Sequence, residues 1–331
     1  MSQLIENPAT STPDSFVIRP VDVEADVPRL VRLFEEVEAA DQTGNFTSEA
    51  TVRSRLQQPG HDPAHDRWVV AEPGNPDRLI AHAMVARSPE APFAWMNLQV
   101  HPLWRRRGLG RALLPRALDR ARALGVSYAT SGTAAHLTGA QAFLTKHGFR
   151  PRNTFVEMQI LPQVPLAEPV YPAGYTVRTY ADVNDLPTLM TAYNRGFIGH
   201  FEHHDETAEE LAHWLTLPHI RPEGFFLAFG PAGDPAGICA ALINPDRTVA
   251  RGRPTGYIDS LGVVPEHRRH GLGRALLLEG MRWLRANGQE VIELNAVGDN
   301  EMALPLYEGV GFSVVHRRLG YRYDFNEGQT L

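Results

Sequence analysis

The chain carries one pattern twice. Trp104-Arg105-Arg106-Arg107-Gly108-Leu109-Gly110-Arg111-Ala112-Leu113-Leu114 returns 163 residues later as His267-Arg268-Arg269-His270-Gly271-Leu272-Gly273-Arg274-Ala275-Leu276-Leu277. The same offset carries Leu98, Val100 and Pro102 onto Leu261, Val263 and Pro265, and Gly148-Phe149 onto Gly311-Phe312. At an offset of 159, Arg19, Asp26, Pro28 and Leu30 answer to Arg178, Asp185, Pro187 and Leu189. Two long copies imply tandem domains rather than a solenoid, which needs several short repeats. Pro162, Pro165, Pro169 and Pro172 crowd the segment between them, too proline-rich for a helix or a central strand. The expected domains are therefore 1–164 and 165–331, joined by a stiff linker.

Each copy reads as strands interleaved with helices, an α/β architecture with a mixed sheet. Phe16 to Arg19 and Tyr175 to Arg178 read as opening strands, with Asp26 and Asp185 as N-caps before proline-led helices. Later strands are expected over Arg67 to Ala71 and Leu79 to Val85, and over Gly224 to Phe229 and Gly237 to Ile243. A further strand ends at Val100 or Val263, where the glycines open a helix. In the second copy Leu277, Met281 and Leu284 hold the i, i+4, i+7 spacing of a buried helix face, closed by Asn287-Gly288. Val291 to Leu294 reads as a strand, a last helix is expected from about Asn300, and a last strand over Val314 to Tyr323.

Charge and composition exclude several roles. The net charge of −6 argues against a chain devoted to nucleic acid or anionic membrane. Among the basic residues only Lys146 is a lysine. The sole cysteine, Cys239, permits no internal disulfide, fits a reducing cytoplasm, and sits in an apolar run that reads as core. No stretch approaches the ~18 apolar residues of a membrane span. Met1 to Ser15 is polar, has no signal-peptide apolar region, and reads as a frayed leader.

The glycine loop carries the chemistry. Its two glycines let the backbone turn sharply and approach a ligand, and the unpaired amides that open the next helix face outward with the positive end of the dipole. This is a pyrophosphate cradle, with arginines for countercharge. The third glycine of a dinucleotide fingerprint is replaced by Leu276, and no Gly-Lys-Ser/Thr is present.

Arg-x-x-Gly-x-Gly after a strand, followed by Asn300, Tyr307 and Gly311-Phe312, resembles the GCN5-related N-acetyltransferase superfamily. The resemblance covers most of 175–325 and, more weakly, 16–160. It implies in each copy a mixed, mostly antiparallel sheet flanked by helices, whose central strand pair splays around acetyl-CoA. The cofactor site implied is Leu261 and Val263 for pantetheine, with Arg268, Arg269, His270, Gly271, Leu272, Gly273 and Arg274 for pyrophosphate. The first copy repeats it in Arg105, Arg106, Arg107, Gly108, Leu109, Gly110 and Arg111. Asn300 could position the cofactor or cap the last helix. Tyr307 matches the family's tyrosine acid, which protonates the leaving thiolate, and Asp259 stands where several members carry a glutamate base. Asp259 also suits a polar residue on an exposed strand face, with an ordered water as the base.

At the offset of 163, Tyr307, Asp259 and Asn300 become Leu144, Met96 and Leu137. The first copy is therefore expected to lack proton transfer while still able to bind CoA. A tandem arrangement with a catalytic second half resembles mycothiol synthase-type acetyltransferases, to whose substrate-side region Asn194 to His204 is loosely similar. His200, His203 and His204 admit a metal reading, but without cysteines and in a superfamily that uses none, no metal is expected. Glu202, Glu206, Glu209 and Glu210 either attract a cationic amine or favour a helix N-terminus. The expected function is acetyl transfer from acetyl-CoA to a primary amine of a small molecule, by direct attack. A CoA-binding regulatory or assembly module without turnover, and a protein or peptide N-acetyltransferase, are the alternatives.

Overall fold

A computed structural model describes residues 16–298 and 303–325. The first copy opens with β1 (Ile18–Pro20), α1 (Val27–Asp41), α2 (Glu49–Leu56) and α3 (Pro63–Asp66). It continues through β2 (Arg67–Glu72), β3 (Asn75–Ala86), β4 (Phe93–Val100), α4 (Leu109–Ala123), β5 (Tyr128–Ala134), α5 (Thr138–Lys146) and β6 (Arg150–Ile160). The second copy runs β7 (Thr176–Thr179), α6 (Tyr180–Val183), α7 (Leu186–Gly196), α8 (Ala208–Leu215), β8 (Phe225–Phe229) and β9 (Pro235–Leu242). Then come α9 (Pro245–Arg251), β10 (Thr255–Val263), α10 (Leu272–Ala286), β11 (Val291–Val297), α11 (Ala303–Gly309) and β12 (Ser313–Asp324). Asn300 and Met1 to Ser15 lie outside the described residues.

The glycine-led helices form because one stripe is apolar. Leu277, Met281 and Leu284 are fully buried on α10, and Leu113, Ala117 and Ala121 play that part on α4. Gly108 and Gly271 precede the two helices at φ +90° and +85°, which a residue with a Cβ adopts only under strain. Asn287 ends α10, with Gly288 at φ +77°. Cys239 is buried against Gly280, and burial pushes its thiol pKa up, away from thiolate chemistry.

The twelve described strands form a single sheet ordered β1-β2-β3-β4-β5-β12-β6-β11-β10-β9-β8-β7. Only β4·β5 and β10·β11 pair in parallel. The closing strands have changed places: β6, from the first copy, lies between β12 and β11, while β12, from the second, lies between β6 and β5. Thus the proline segment divides the sequence but not the sheet. Nor is that segment a free tether: Tyr171 donates to Glu279 at 2.8 Å, and Val164 packs against Gly311.

The Asp26 expectation fails. Asp26 makes no cap; it is fully buried, and its carboxylate takes Arg19 at 2.5 and 2.8 Å and the Asp22 amide at 2.9 Å. Asp185 does cap its helix, accepting from Thr188 N at 2.9 Å. The opening strand of the first copy is also shorter than expected, starting at Ile18.

Helix α9 of the second copy is pinned to the first. Asp246 accepts from Ser48 N and Oγ at 3.0 and 3.1 Å and from Thr51 Oγ1 at 2.6 Å. Arg251 donates to Gly44 O at 2.8 Å and to Glu293 at 2.5 Å, and also pairs with Glu157.

Candidate active site

Both copies build the same cradle. In β10 the parallel pairing with β11 stops at Ile258↔Leu294, and in β4 the pairing with β5 stops at Trp95↔Thr130; beyond these the strands part. Val264 N bonds Ala236 O at 2.9 Å, so by strand alternation the polar backbone of Leu261 and Val263 faces the gap. The first α10 bond runs from Ala275 N to Gly271 O at 3.1 Å, leaving the amides of Leu272, Gly273 and Arg274 without intrahelical acceptors. Ala112 N to Gly108 O, at 3.0 Å, repeats this for Leu109, Gly110 and Arg111.

The leading arginine of each loop is a brace. Arg268 Nε donates to Val263 O at 2.8 Å and its Nη2 to Ile198 O at 2.6 Å. Arg105 Nε donates to Val100 O at 3.0 Å, and its fork grips Asp41 with two bonds of 2.7 Å. These guanidiniums hold the loop rather than standing free as countercharge. Arg106 and Arg269 follow at φ +65° and +68°. Arg107 lies over the Trp104 ring at 4.7 Å, and His270 and Arg274 flank the second cradle.

The copies diverge one step further along the strand. The β9·β10 register slips between Ile258 and Ser260, so Asp259 is the extra residue of a bulge, whereas β3·β4 pairs without interruption through Met96. A bulge kinks the strand and re-aims the side chain that it carries. Asp259 keeps an exposed surface while protein groups crowd its carboxylate. Burial raises its carboxyl pKa from its ordinary value, against the opposing effects of Ser260 Oγ, which donates to it at 2.9 Å, and of Arg247 and His219. Arg247 also covers the Tyr257 ring at 3.6 Å and pairs with Glu293 at 2.8 Å. Met96, its counterpart, is fully buried.

Tyr307 lies on α11 in the core cluster that holds Ile258 and Leu294, the last pair before the splay, with its ring edge-on to Phe312 at 6.2 Å. Burial pushes its hydroxyl up to about 12, so it stays protonated at neutral pH and able to donate. Leu144, its counterpart, has no proton to give.

Sequence reasoning missed Tyr193 and His219 near Asp259. Tyr193, on α7, is raised mainly by burial and also by Asp259, and His219 is lowered by burial although Asp259 opposes that shift. Neither belongs to a motif. Only the offset of 159, which sets Tyr193 against Phe34, marked a polar change at a repeated position.

The acidic loop does not form an open mouth for amines. Glu202 is half-buried at φ +54° with Arg152 and Arg322 nearby, while Phe201 lies beneath Arg152 at 5.3 Å and His204 against Phe93 at 5.7 Å. Thr207 and Glu210 form a capping box, the helix-terminus reading of those acids. His203 faces Asp205 and His204 faces Glu206; among the described residues no three His, Cys, Asp or Glu side chains group to hold a metal.

Comparison with known proteins places this geometry. The chain matches the Acetyltransferase (GNAT) family over residues 31–149 and again over 186–312. It belongs to that family. The chain is 32% identical to the mycothiol acetyltransferase of Tsukamurella paurometabola, over 90% of this chain and 97% of that one. It is also 32% identical to the mycothiol acetyltransferase of Frankia alni, over 93% and 95%. In fold it resembles a GCN5-related N-acetyltransferase from Sphaerobacter thermophilus, with TM-score 0.71 and 24% identity over 97% of this chain and 99% of that one. A tandem GNAT protein from the clavulanic acid biosynthesis pathway gives TM-score 0.69 and 21% identity over 94% and 98%. The protein is an N-acetyltransferase built from two GNAT repeats. Among the described residues no helix is long and apolar enough to cross a membrane.

Proposed function

We propose that the second copy transfers an acetyl group from acetyl-CoA to the primary amine of a small molecule, and that the first copy supports it without turning over. The Asp259 bulge at the mouth of the β10·β11 splay carries this reading, because it separates two otherwise repeated cradles. Acetyl-CoA would thread the gap, its pyrophosphate on the amides of Leu272 to Arg274 and its pantetheine on the backbone of Leu261 and Val263. The raised carboxylate of Asp259, directly or through water, removes a proton from the ammonium. The neutral amine attacks the thioester carbonyl, and as the tetrahedral adduct collapses Tyr307 donates to the departing sulfur while the proton shed by the nitrogen returns, directly or through water, to the tyrosine oxygen. The C–N bond forms and the C–S bond breaks, with no acyl-enzyme. The relatives' names make a mycothiol-type thiol sugar the first acceptor to try.

The test is mass-spectrometric detection of acetylated product from acetyl-CoA and a panel of amines that includes such a sugar. Turnover is expected to fall about a hundredfold or more in Tyr307→Phe and Asp259→Asn, the usual worth of a positioned acid or base. Acetylation that survives both substitutions at full rate removes the assigned roles, and no product from any amine favours a CoA-binding module without turnover.

A further inference from the structure

We propose that the first copy holds, beneath α1 and α2, a binding site for a small molecule bearing a carboxylate or phosphate group, gripped by Arg67, Arg55 and His82. This inference does not depend on the assignment of the second copy's chemistry.

A cavity of about 2300 Å³ opens in the first copy. Its lining includes the glycine loop on one side of β4 and, on the other, Phe34, Arg55, Arg67, His82 and Gln99. Register shows what is unusual about that second region. His82 pairs with Gln99 and Arg67 with Met84, as Ile238 pairs with Gly262 and Phe225 with Ala240 in the second copy. Arg67 and His82 thus occupy the sheet positions of Phe225 and Ile238. In the second copy those two are fully buried in an apolar layer under α7. At these two positions the first copy carries a guanidinium and an imidazole, beside an apolar cluster that includes Leu30, Leu33, Val52 and Leu56.

Neither group is satisfied from within. His82 is 1% exposed, lies edge-on to Phe34, and both of its ring nitrogens lack a partner among the described residues. Arg67 is 4% exposed; its Nε meets His61 at 2.8 Å, but its terminal nitrogens meet no carboxylate among the described residues. Arg55 lines the cavity with its surface exposed, yet protein around it lowers its pKa against the opposing effect of Asp246; it is close enough to Arg67 to repel it and has no ion pair among the described residues. Three nearby carboxylates are engaged elsewhere, and Glu35, which also lines the cavity, is exposed to solvent. Asp66 holds Arg120 at 2.7 Å and faces His61, Asp246 holds Ser48 and Thr51, and Glu38 accepts from Gly44 N at 2.6 Å. Burial and the neighbouring Arg55 push Arg67 down to about 10, and burial pushes His82 well below its ordinary range. Asp66 acts on Arg67 and Asp246 on Arg55 only at a distance, with no ion pair to either among the described residues. A buried guanidinium compensated so weakly is costly, and an incoming anion would supply the missing direct pair. Arg67 and Arg55 would carry the charge pairing and His82 would donate one hydrogen bond.

The experiment is thermal melting and calorimetric titration of the full chain with sodium phosphate and, separately, sodium succinate, with sodium chloride holding the ionic strength constant. Wild type is expected to show a saturable rise in melting temperature with at least one anion. A response to phosphate alone assigns a phosphoryl ligand, and a response to succinate alone assigns a carboxylate. Arg67→Gln should abolish the response while melting, without anion, no lower than wild type. Arg55→Gln, at an exposed position that does not endanger folding, should weaken binding at least tenfold. Failure of wild type to respond to either anion overturns the proposal, as does a response undiminished in either variant. Phosphate that binds Arg67→Gln as before and is displaced by CoA lies on a glycine loop, and that result too overturns it.

Discussion

The two copies share a cradle and differ in what closes over it. In the second, Gly196 at the end of α7 meets Gly262 on β10 so closely that a Cβ at either would come within 3.0 to 3.2 Å of the other's backbone. The counterparts in the first copy are Val37 and Gln99, both lining the cavity, and side chains of that size keep α1 from approaching β4 in the same way. One copy has a helix pressed onto the strand beside a bulged aspartate. The other has an unbulged strand, a buried methionine and an open cavity. Duplication kept the glycine-led backbone cradle and left the layer above it free to change.

The largest effect expected from breaking this comparison is at the bulge. Asp259→Asn should lower kcat about a thousandfold, whereas Met96→Asp in the first copy should add no turnover, because β4 has no bulge to aim the carboxylate. Burial raises the Asp259 pKa, so its active, deprotonated form is lost at a higher pH than for an ordinary carboxylate. The acid limb of the kcat/KM profile should therefore lie at higher pH than an unperturbed aspartate would set it in wild type and vanish from the residual activity of Asp259→Asn. Next in size is the cradle. Gly271→Val places a β-branched residue at φ +85° and should raise KM for acetyl-CoA about a hundredfold, on the order of 2.7 kcal/mol. Gly108→Val should leave KM within about twofold while removing any CoA bound by the first copy. Equal effects on KM would mean that the first cradle serves turnover.

Much of this was legible because it rests on local chemistry. Glycine at positive φ, proline in the joint and apolar spacing on α10 act within a few residues, and each was found where the sequence put it. The exchange of β6 and β12 was not legible. Each closing strand follows a short helix and a Gly-Phe pair, and only the geometry of the whole sheet decides which neighbour it joins. The bulge was hidden because Asp259 and Met96 align without a gap; the extra residue exists only relative to β9. Arg67 and His82 were invisible as partners of Phe225 and Ile238, since the repeat in β2, β3, β8 and β9 has no shared residues to fix an offset.

The duplicated aspartates at the helix entries supply the smallest effect and the cleanest contrast. Asp26 and Asp185 occupy one position of the repeat, but Asp26 is a fully buried ion-pair partner and Asp185 an exposed cap. Burial works against the charge of Asp26, and Arg19, the Asp22 amide and Arg29 outweigh it, so its pKa lies below that of the unfolded chain. Its stabilisation is therefore present above the ordinary carboxylate range and is lost as the pH falls through the lowered folded value. Asp26→Asn should cost about 2 kcal/mol at neutral pH, less than the 3–5 of a fully buried pair because the Arg19 side chain is 35% exposed and screened by water. Asp185→Asn should cost less, since asparagine also caps. Urea unfolding of the two variants at neutral and acidic pH checks both points: the gap between Asp26→Asn and wild type should narrow on acidification. A gap that does not change with pH would mean that Asp26 acts through shape and hydrogen bonding alone, and the two aspartates would then differ in burial but not in electrostatic role.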